Sequence, residues 1–168
     1  MKKQIKSIIS LFVICAVIAV ALAFTNHLTK ETIAQNEEKA VQDALSVVMP
    51  GGNFSKENVE ELDVDPSISE IYRDNVSGGY VFKIKVKGYS TGLVILCGVN
   101  PDGTVSGATC LESQETNKAE IDYGNKFTGL TKKDIASVDT VSGSTKTTTA
   151  YRSAVQLAVD TAAKLERR

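Results

Sequence analysis

Histidine is almost missing from this chain of 168 residues, which has only His27, and tryptophan is absent altogether. Histidine is the commonest nitrogen ligand of protein-bound zinc and the usual general base of a serine triad. One histidine close to an apolar run therefore argues against a histidine-based metal site and against a Ser-His-Asp triad. We predict neither a metal site nor a catalytic residue.

An excess of either charge is also missing, with 19 lysines and arginines against 20 aspartates and glutamates. Nucleic-acid-binding domains carry a basic patch or stripe that neutralises phosphates. The net charge of −1 gives no such footprint, so we predict no nucleic-acid partner. Hydrophobic residues make up 42% of the chain, enough for the core of about one domain.

Cysteine is scarce, and the two cysteines outside the N-terminal region lie in a predicted hairpin. If the Asn-Pro-Asp-Gly sequence between them is the turn, Cys97 lies opposite Ser106 and Cys110 opposite Leu93. The two sulfurs then share a face but are separated by four positions, roughly 13 Å at about 3.4 Å per residue. A disulfide tolerates a Cα separation of about 7 Å. We therefore predict that Cys97 and Cys110 are free, buried thiols.

The one long uncharged apolar run lies at the N-terminus. Lys2, Lys3 and Lys6 precede Ile8–Phe24, which as a helix would be roughly 25 Å long. That length crosses a bilayer when flanking lysines snorkel, and the positive-inside rule keeps the lysines in the cytoplasm. We predict a single-pass protein of the cell membrane with a cytoplasmic N-terminus and an extracytoplasmic C-terminal domain. The alternative is a cleaved signal peptide, because an Ala-Leu-Ala sequence ends at Ala23.

Apolar periodicity predicts the elements that follow the apolar run. Asn26–Val48 has the pattern of an amphipathic helix, which a Met-Pro-Gly-Gly sequence ends. The apolar stripe of this helix consists of Ile33, Val41, Ala44, Leu45 and Val48. Tyr80–Lys87 alternates apolar and mostly basic residues, which predicts a strand with one face on a core and the other in water. Further segments are strands at Ile68–Tyr72, Thr91–Val99 and Thr104–Leu111, a polar irregular stretch at Glu112–Thr131, and a helix beyond Thr149. The fold class is α+β: an antiparallel sheet flanked by helices and preceded by one transmembrane helix.

The final helix follows a segment rich in small hydroxyls, "VDTVSGSTKTTTAYRSA" at Val138–Ala154. Serine and threonine are preferred helix N-caps, but one cap needs one hydroxyl. A helix N-terminus also attracts anions, and Gly143 lets a bulky anion approach the backbone. The nucleotide-binding P-loop is excluded, because Ser144 follows Gly143 where that motif needs lysine. A capped loop and an attachment site both remain open at this point.

Within this segment "DTVSGST", Asp139–Thr145, resembles the signature at which flavin transferases attach FMN to a threonine. The signature occurs in the FMN-binding domain shared by the G subunits of Rnf electron-transport complexes and the C subunits of the sodium-pumping NADH:quinone reductase. Gly88–Thr116 resembles the Gly-Tyr opening, strand, Asp-Gly turn, strand and Glu-Thr sequence of that family. Asn125–Leu130 resembles its phenylalanine-containing stretch, and the N-terminal anchor and helix are similar too. The resemblance covers most of the chain.

The resemblance implies a covalent cofactor. The Thr145 hydroxyl would be esterified to the phosphate of FMN by a separate flavin transferase that takes the FMN from FAD. Asp139 would be recognised by that transferase. The remaining residues that the resemblance and the helix N-terminus imply for cofactor binding are Ser142, Gly143, Ser144, Lys146, Thr147, Glu115 and Thr116.

The chain departs from the family pattern at two places. Ser144 stands where the family usually has alanine, and "ETNKAE" at Glu115–Glu120 replaces the usual Glu-Thr-Pro-Gly. Without the Pro-Gly turn we expect the flavin ring to be more exposed or differently covered. Tyr89, Thr116 and Phe127 are interpreted equally well as core or loop residues and as flavin contacts.

The resemblance also implies a role and a domain organisation. The chain would be the Rnf G-like electron-transfer subunit of an ion-translocating membrane redox complex, a redox subunit that is not catalytic alone, with the other subunits as partners. The alternatives are a stand-alone extracytoplasmic FMN-binding carrier or reductase and a non-redox extracellular binding module. Residues 1–25 would be the cytoplasmic tip and anchor, 26–52 the amphipathic helix, and 53–168 the extracytoplasmic FMN-binding domain.

Overall fold

The first element is a long helix, α1, which spans Lys2–Val48 in a computed structural model that describes residues 2–167. Among these residues, Ile9–Val48 is the one helical stretch long and apolar enough to cross a membrane. Apolar side chains along it, such as Phe12 and Val20, are exposed. The helix ends at Val48 as predicted, and it passes residue 25 without a break, so the predicted anchor and amphipathic helix are one element.

Contacts within the chain divide it into two units after residue 40. In the second unit the last turns of α1 bury Val41, Leu45 and Val48, which recur at steps of four and three residues. The predicted apolar stripe is confirmed for these three residues. Ile33 was expected on the same stripe, but it lies in the first unit and is exposed.

The second unit is built on one five-stranded antiparallel sheet with the order β1-β2-β3-β4-β5. Each strand therefore pairs with its neighbours in the chain, as short connections between antiparallel strands allow. Short helices and the last helix follow the sheet, and the predicted α+β class is confirmed. The elements are β1 Phe54–Glu57, β2 Ile68–Asp74, β3 Tyr80–Val86, β4 Leu93–Val99, β5 Val105–Glu112, α2 Glu120–Tyr123, α3 Lys132–Ile135 and α4 Thr145–Leu165.

One face of the sheet packs against α4 and a cluster of three aromatic rings. Tyr123 and Phe127 meet edge to face with centroids 5.2 Å apart, and Tyr151 of α4 lies 5.5 Å from Tyr123. The prediction that Glu112–Thr131 is irregular is wrong in part, because α2 and a 3-10 turn at Gly124–Phe127 carry two of these rings into the core. Phe127 is therefore a packing residue.

The other face of the sheet is partly covered by the end of α1. Val81 of β3 is fully buried there, so the expectation that this whole face of β3 meets water is wrong. Lys85 is exposed as expected, whereas Lys83 is half-buried beside Glu70, with its Nζ 3.7 Å from a carboxylate oxygen. Ser106 of β5 donates a hydrogen bond to the carbonyl of Val48 at 3.0 Å and ties the helix end to the sheet.

The hairpin of β4 and β5 has the predicted turn but a different register. The backbone N–H of Asn100 donates to the carbonyl of Thr104 at 2.8 Å, and Gly103 adopts φ +80. Irregularities in the ladder place Cys97 opposite Ala108 and Cys110 opposite Ile95. The predicted pairings with Ser106 and Leu93 are therefore wrong, because bulges insert extra residues that a simple count from the turn omits.

Both cysteines of this hairpin are nevertheless free, as predicted. Cys97 is buried, and burial raises the pKa of its thiol to about 12. Cys110 is half-buried rather than buried, and burial together with nearby Glu120 raises the pKa of its thiol to about 11. At neutral pH both groups remain protonated thiols, which are poor nucleophiles.

A buried aspartate closes the turn between β2 and β3. Asp74 accepts hydrogen bonds from the backbone N–H groups of Asn53, Val76 and Ser77 at 2.8, 3.1 and 2.9 Å, and from the Ser77 hydroxyl. Burial by itself would raise the pKa of this carboxyl, but the hydrogen bonds outweigh it and lower the pKa to about 2. Asp74 therefore stabilises the fold only while it is ionised.

Asp74→Asn is expected to lower the free energy of unfolding at pH 7 by about 2 kcal/mol, since the folded pKa lies below the unfolded value. The contribution is complete above the unfolded pKa of 3.8 and disappears as the pH falls through about 2. The difference between wild type and variant should therefore shrink between about pH 5 and pH 2. Urea unfolding, monitored by tyrosine fluorescence, measures this difference in the free energy of unfolding. Asp63→Asn is the control, because Asp63 is exposed. A difference that does not depend on pH would contradict the assignment.

Candidate functional site

The last helix begins earlier than its apolar pattern predicts. α4 starts at Thr145 rather than after Thr149, and its N-cap residue, Ser144, makes no side-chain capping hydrogen bond. The backbone N–H of Thr148 donates to the carbonyl of Ser144 at 2.9 Å. The N–H groups of the preceding turn, Thr145–Thr147, have no intrahelical acceptor by the geometry of any helix start. This end of α4 is therefore a positive, uncapped terminus of the kind that binds phosphate.

The threonines around the start of α4 fall into two groups. Thr147 is buried and donates to a carboxylate oxygen of Glu115 at 2.8 Å. Thr148 is buried, donates to the carbonyl of Ser144 at 2.9 Å and accepts from the backbone N–H of Val141 at 3.2 Å. Thr145 is exposed at the first position of the helix. The structure therefore leaves the Thr145 side chain accessible while it uses the next two hydroxyls internally.

Glu115 connects the loop after β3 to the start of α4. Its Oε1 accepts from the backbone N–H of Ser90 at 3.0 Å, and its Oε2 accepts from Thr147. A Cβ atom on Gly88 would lie 2.4 Å from Oε1, so a side chain at this position would displace the carboxylate from its present contacts. Each oxygen of the buried carboxylate accepts a hydrogen bond, which offsets the free-energy cost of removing the carboxylate from water.

The segment that replaces the family's Pro-Gly still bends the chain at Thr116 and Asn117. Lys118, the residue at the glycine position, has φ +39, a left-handed conformation that glycine adopts without strain. The preceding Asn117 donates its side-chain N–H to the carbonyl of Gly143 at 3.4 Å. Asn117 therefore connects this bend to the signature segment. The sequence pattern does not predict this contact, although the amide follows directly after Glu-Thr.

A cavity of about 610 Å³ lies between these segments, a size typical of small-molecule sites. The Lys146 ammonium stands over the exposed Tyr89 ring, 5.7 Å from its centroid, and both residues line the cavity. Of the residues predicted for cofactor binding, all but Ser142 line the cavity. The lining consists of Tyr89, Glu115, Thr116, Asn117, Gly143, Ser144, Thr145, Lys146 and Thr147.

Ser142 and Asp139, both exposed, are not among the residues that line this cavity. The Asp139 carboxylate is therefore not part of the cavity wall. The main-chain carbonyl of Asp139 accepts a hydrogen bond from the Tyr123 hydroxyl at 3.1 Å. The predicted role of Asp139 in recognition by a transferase stays a prediction.

The donor set of the cavity fits FMN. An uncapped helix start and the Lys146 ammonium suit a phosphate, Gly143 at φ +79 lets the backbone approach it, and Tyr89 offers an aromatic surface. Within residues 2–167 no group of three or more histidine, cysteine, aspartate or glutamate side chains is arranged to hold a metal ion.

Comparison with known proteins gives matches to two family models. One describes the FMN-binding domain and matches residues 88–160, and the other describes the RnfG N-terminal region and matches residues 1–48. The G subunit of the Na⁺-translocating ferredoxin:NAD⁺ oxidoreductase complex of Acetobacterium woodii is 31% identical in an alignment 181 positions long, which covers 89% of this chain and 86% of that protein.

Two further relatives are named as G subunits of ion-translocating oxidoreductase complexes. The one from Stutzerimonas stutzeri is 27% identical, with 83% of this chain and 72% of the relative covered. The one from Shewanella piezotolerans is 30% identical, with 82% and 79% covered. The similarity therefore extends over the N-terminal helix and the sheet domain alike.

Lys118→Gly is expected to raise the free energy of unfolding relative to Lys118→Ala by about 1 kcal/mol, because alanine keeps the left-handed strain and glycine removes it. Both variants lose the hydrogen bond from the Lys118 ammonium to the carbonyl of Ser113, so that loss cancels in the comparison. Urea unfolding followed by tyrosine fluorescence gives the difference. Equal stabilities of the two variants would show that the backbone at residue 118 is not strained.

Proposed function

Because this chain belongs to the family of Rnf G subunits and contains the FMN-binding domain of that family, we propose that it carries FMN in a phosphodiester bond to Thr145. It is a G-like subunit of an ion-translocating oxidoreductase complex, and in the proposal it transfers electrons within that complex. One observation carries the attachment site: the exposed Thr145 stands at the uncapped start of α4, on the wall of a cavity of about 610 Å³.

The attachment reaction needs an activating enzyme. In the proposed step the Thr145 oxygen bonds to the FMN phosphorus of FAD, the bond between the two phosphates breaks, AMP leaves, and the hydroxyl proton passes to a base of the transferase. A threonine hydroxyl is a poor nucleophile without such a base. The one carboxylate of the cavity wall, Glu115, already accepts hydrogen bonds from Ser90 and Thr147. A separate flavin transferase is therefore the proposed partner in maturation.

The residues at the start of α4 suit the product of this reaction. A phosphodiester keeps one negative charge, which the free N–H groups of the first helical turn and the helix dipole stabilise. The Lys146 ammonium on the cavity wall adds a charged donor. The exposed Asp139 carboxylate is not part of that wall, and this placement avoids repulsion between two anions. When bound, FMN supplies the capacity to accept and donate electrons.

The neighbours of the cofactor in a working complex are also part of the proposal. The relatives are named as subunits of redox complexes, which favours membership of a complex over a stand-alone carrier. The match to an FMN-binding domain favours a flavoprotein over a non-redox binding module. Thr116 and Asn117 lie exposed at the rim of the cavity. In the proposal the other subunits of the complex cover this rim.

Membrane anchoring completes the proposal. Apolar side chains of the first unit such as Phe12 and Val20 are exposed along α1, as they are in a helix that faces lipid. Residues 1–25 form the cytoplasmic tip and anchor, 26–52 the rest of the helix and its end, and 53–168 the extracytoplasmic FMN-binding domain. A covalent bond then retains the cofactor outside the cytoplasm, where a dissociating flavin would be lost by dilution.

Thr145→Ala is expected to abolish covalent flavin, because the bond is made to its hydroxyl. The matched control is Thr149→Ala, since Thr149 is exposed on the same helix one turn later. Each protein is made together with a flavin transferase, denatured, and examined for in-gel flavin fluorescence. The control should fluoresce like wild type and Thr145→Ala should be dark. Covalent flavin in Thr145→Ala would refute the attachment site.

The proposed topology predicts opposite labelling of the two ends of the chain. In a Cys110→Ser background, Glu166→Cys should react with a membrane-impermeant thiol reagent in intact cells, whereas Lys6→Cys should react only after permeabilisation. The protein should also remain with membranes after a high-salt wash. Labelling of Glu166→Cys only in permeabilised cells would reverse the proposed orientation, and release by salt would favour cleavage after Ala23.

A further inference from the structure

The main chain leading into the signature segment, Asp139–Thr145, is held from within the protein. The Tyr123 hydroxyl donates to the carbonyl of Asp139 at 3.1 Å. The Arg152 guanidinium donates to the carbonyl of Val138 at 2.9 Å and to that of Ala136 at 3.4 Å. Two side chains, one from α2 and one from α4, thus bind three carbonyls just before and at the start of the segment.

Tyr123 is a well-fixed donor. Its ring is buried and packs edge to face against Phe127 and Tyr151, with centroids 5.2 and 5.5 Å away. Burial raises the pKa of the Tyr123 hydroxyl, as does the nearby Asp139 carboxylate, while the Arg152 guanidinium opposes the change. The hydroxyl therefore keeps its proton at neutral pH, and the ring packing determines where it points.

The other end of the segment is held as well. The backbone N–H of Val141 donates to the Thr148 hydroxyl at 3.2 Å, and the N–H of Ser144 donates to the carbonyl of Val141 at 3.0 Å. Around these anchored backbone positions four residues of the signature are exposed: Asp139, Ser142, Gly143 and Thr145. The segment thus combines a bound main chain with accessible side chains.

We propose that Tyr123 and Arg152 are positioning residues for attachment of the flavin, holding the signature segment in the shape that the modifying enzyme binds. The inference rests on the proposed function. A segment without these bonds would populate several conformations, and the apparent affinity of an enzyme for one of them falls with the fraction of chains that adopt it. Neither residue lines the cavity, so both act through the backbone of the segment rather than on FMN.

The structure offers a matched pair of variants for the test. Tyr123→Phe removes the hydroxyl that binds Asp139 and keeps the ring. Tyr151→Phe removes a hydroxyl from the neighbouring ring that has no hydrogen-bond partner in the described part of the chain. Arg152→Lys keeps a charged donor, whereas Arg152→Ala removes it. A difference within the tyrosine pair therefore reports on the bond to Asp139 rather than on ring packing. A difference within the arginine pair reports on the charged donor that binds the carbonyls of Val138 and Ala136.

The first readout is the kinetics of flavin transfer to the detergent-solubilised full-length chain, with purified flavin transferase and FAD. Tyr123→Phe should lower kcat/KM by about fivefold, the equivalent of one ordinary hydrogen bond. The loss should appear as a higher KM for the acceptor chain, with the same final yield at saturating transferase. Tyr151→Phe should behave like wild type, and Arg152→Lys should retain more activity as an acceptor than Arg152→Ala.

The second readout needs no transferase. Amide hydrogen exchange of the unmodified chain should be faster over residues 140–144 in Tyr123→Phe and Arg152→Ala, and unchanged in Tyr151→Phe. Equal exchange and equal kcat/KM in Tyr123→Phe and Tyr151→Phe would overturn the inference while wild type still accepts flavin. Slower transfer without faster exchange would also overturn it. A wild-type chain that accepts no flavin would instead refute the proposed function and the inference with it.

Discussion

The backbone N–H groups at the start of α4 have no side-chain cap, and the arrangement of the site follows from this. A capping side chain usually contributes about 0.5–2 kcal/mol, and several hydroxyls are close enough along the chain to provide one. The hydroxyls of Thr147 and Thr148 form other hydrogen bonds instead. Thr147 donates to Glu115, and Thr148 donates to the backbone carbonyl of Ser144. A phosphate on Thr145 would meet these N–H groups and the positive end of the helix dipole together.

Glu115 makes this arrangement possible from the other side of the cavity. One carboxylate oxygen accepts a hydrogen bond from the backbone N–H of Ser90 in the loop after β3, and the other accepts one from the Thr147 hydroxyl. The same carboxylate therefore shapes the cavity wall and prevents Thr147 from competing with Thr145 as the accessible hydroxyl. Gly88 is part of this contact, because a side chain there would push the carboxylate out of its present position.

Much of the fold and the composition of the site could be predicted from local patterns, whereas the contacts between distant segments could not. The hairpin turn and the strand cores follow from turn chemistry and alternation, and the signature identifies the residues near Thr145. The apolar pattern places the start of α4 after Thr149, because β-branched threonines have low helix propensity. The hydrogen bonds of Thr147 and Thr148 outweigh that low propensity, and the helix begins at Thr145. The bonds from Glu115 to Thr147 and from Asn117 to Gly143 join residues far apart in the chain, and no spacing rule reveals them.

The central claim is that Thr145 carries FMN, and mass spectrometry of the intact chain made with and without a flavin transferase tests it most directly. The account predicts that the transferase adds the mass of one FMN less one water, and that fragmentation of the tryptic peptide 134–146 places it on Thr145. An unchanged mass, or the added group on any other residue, would contradict the account.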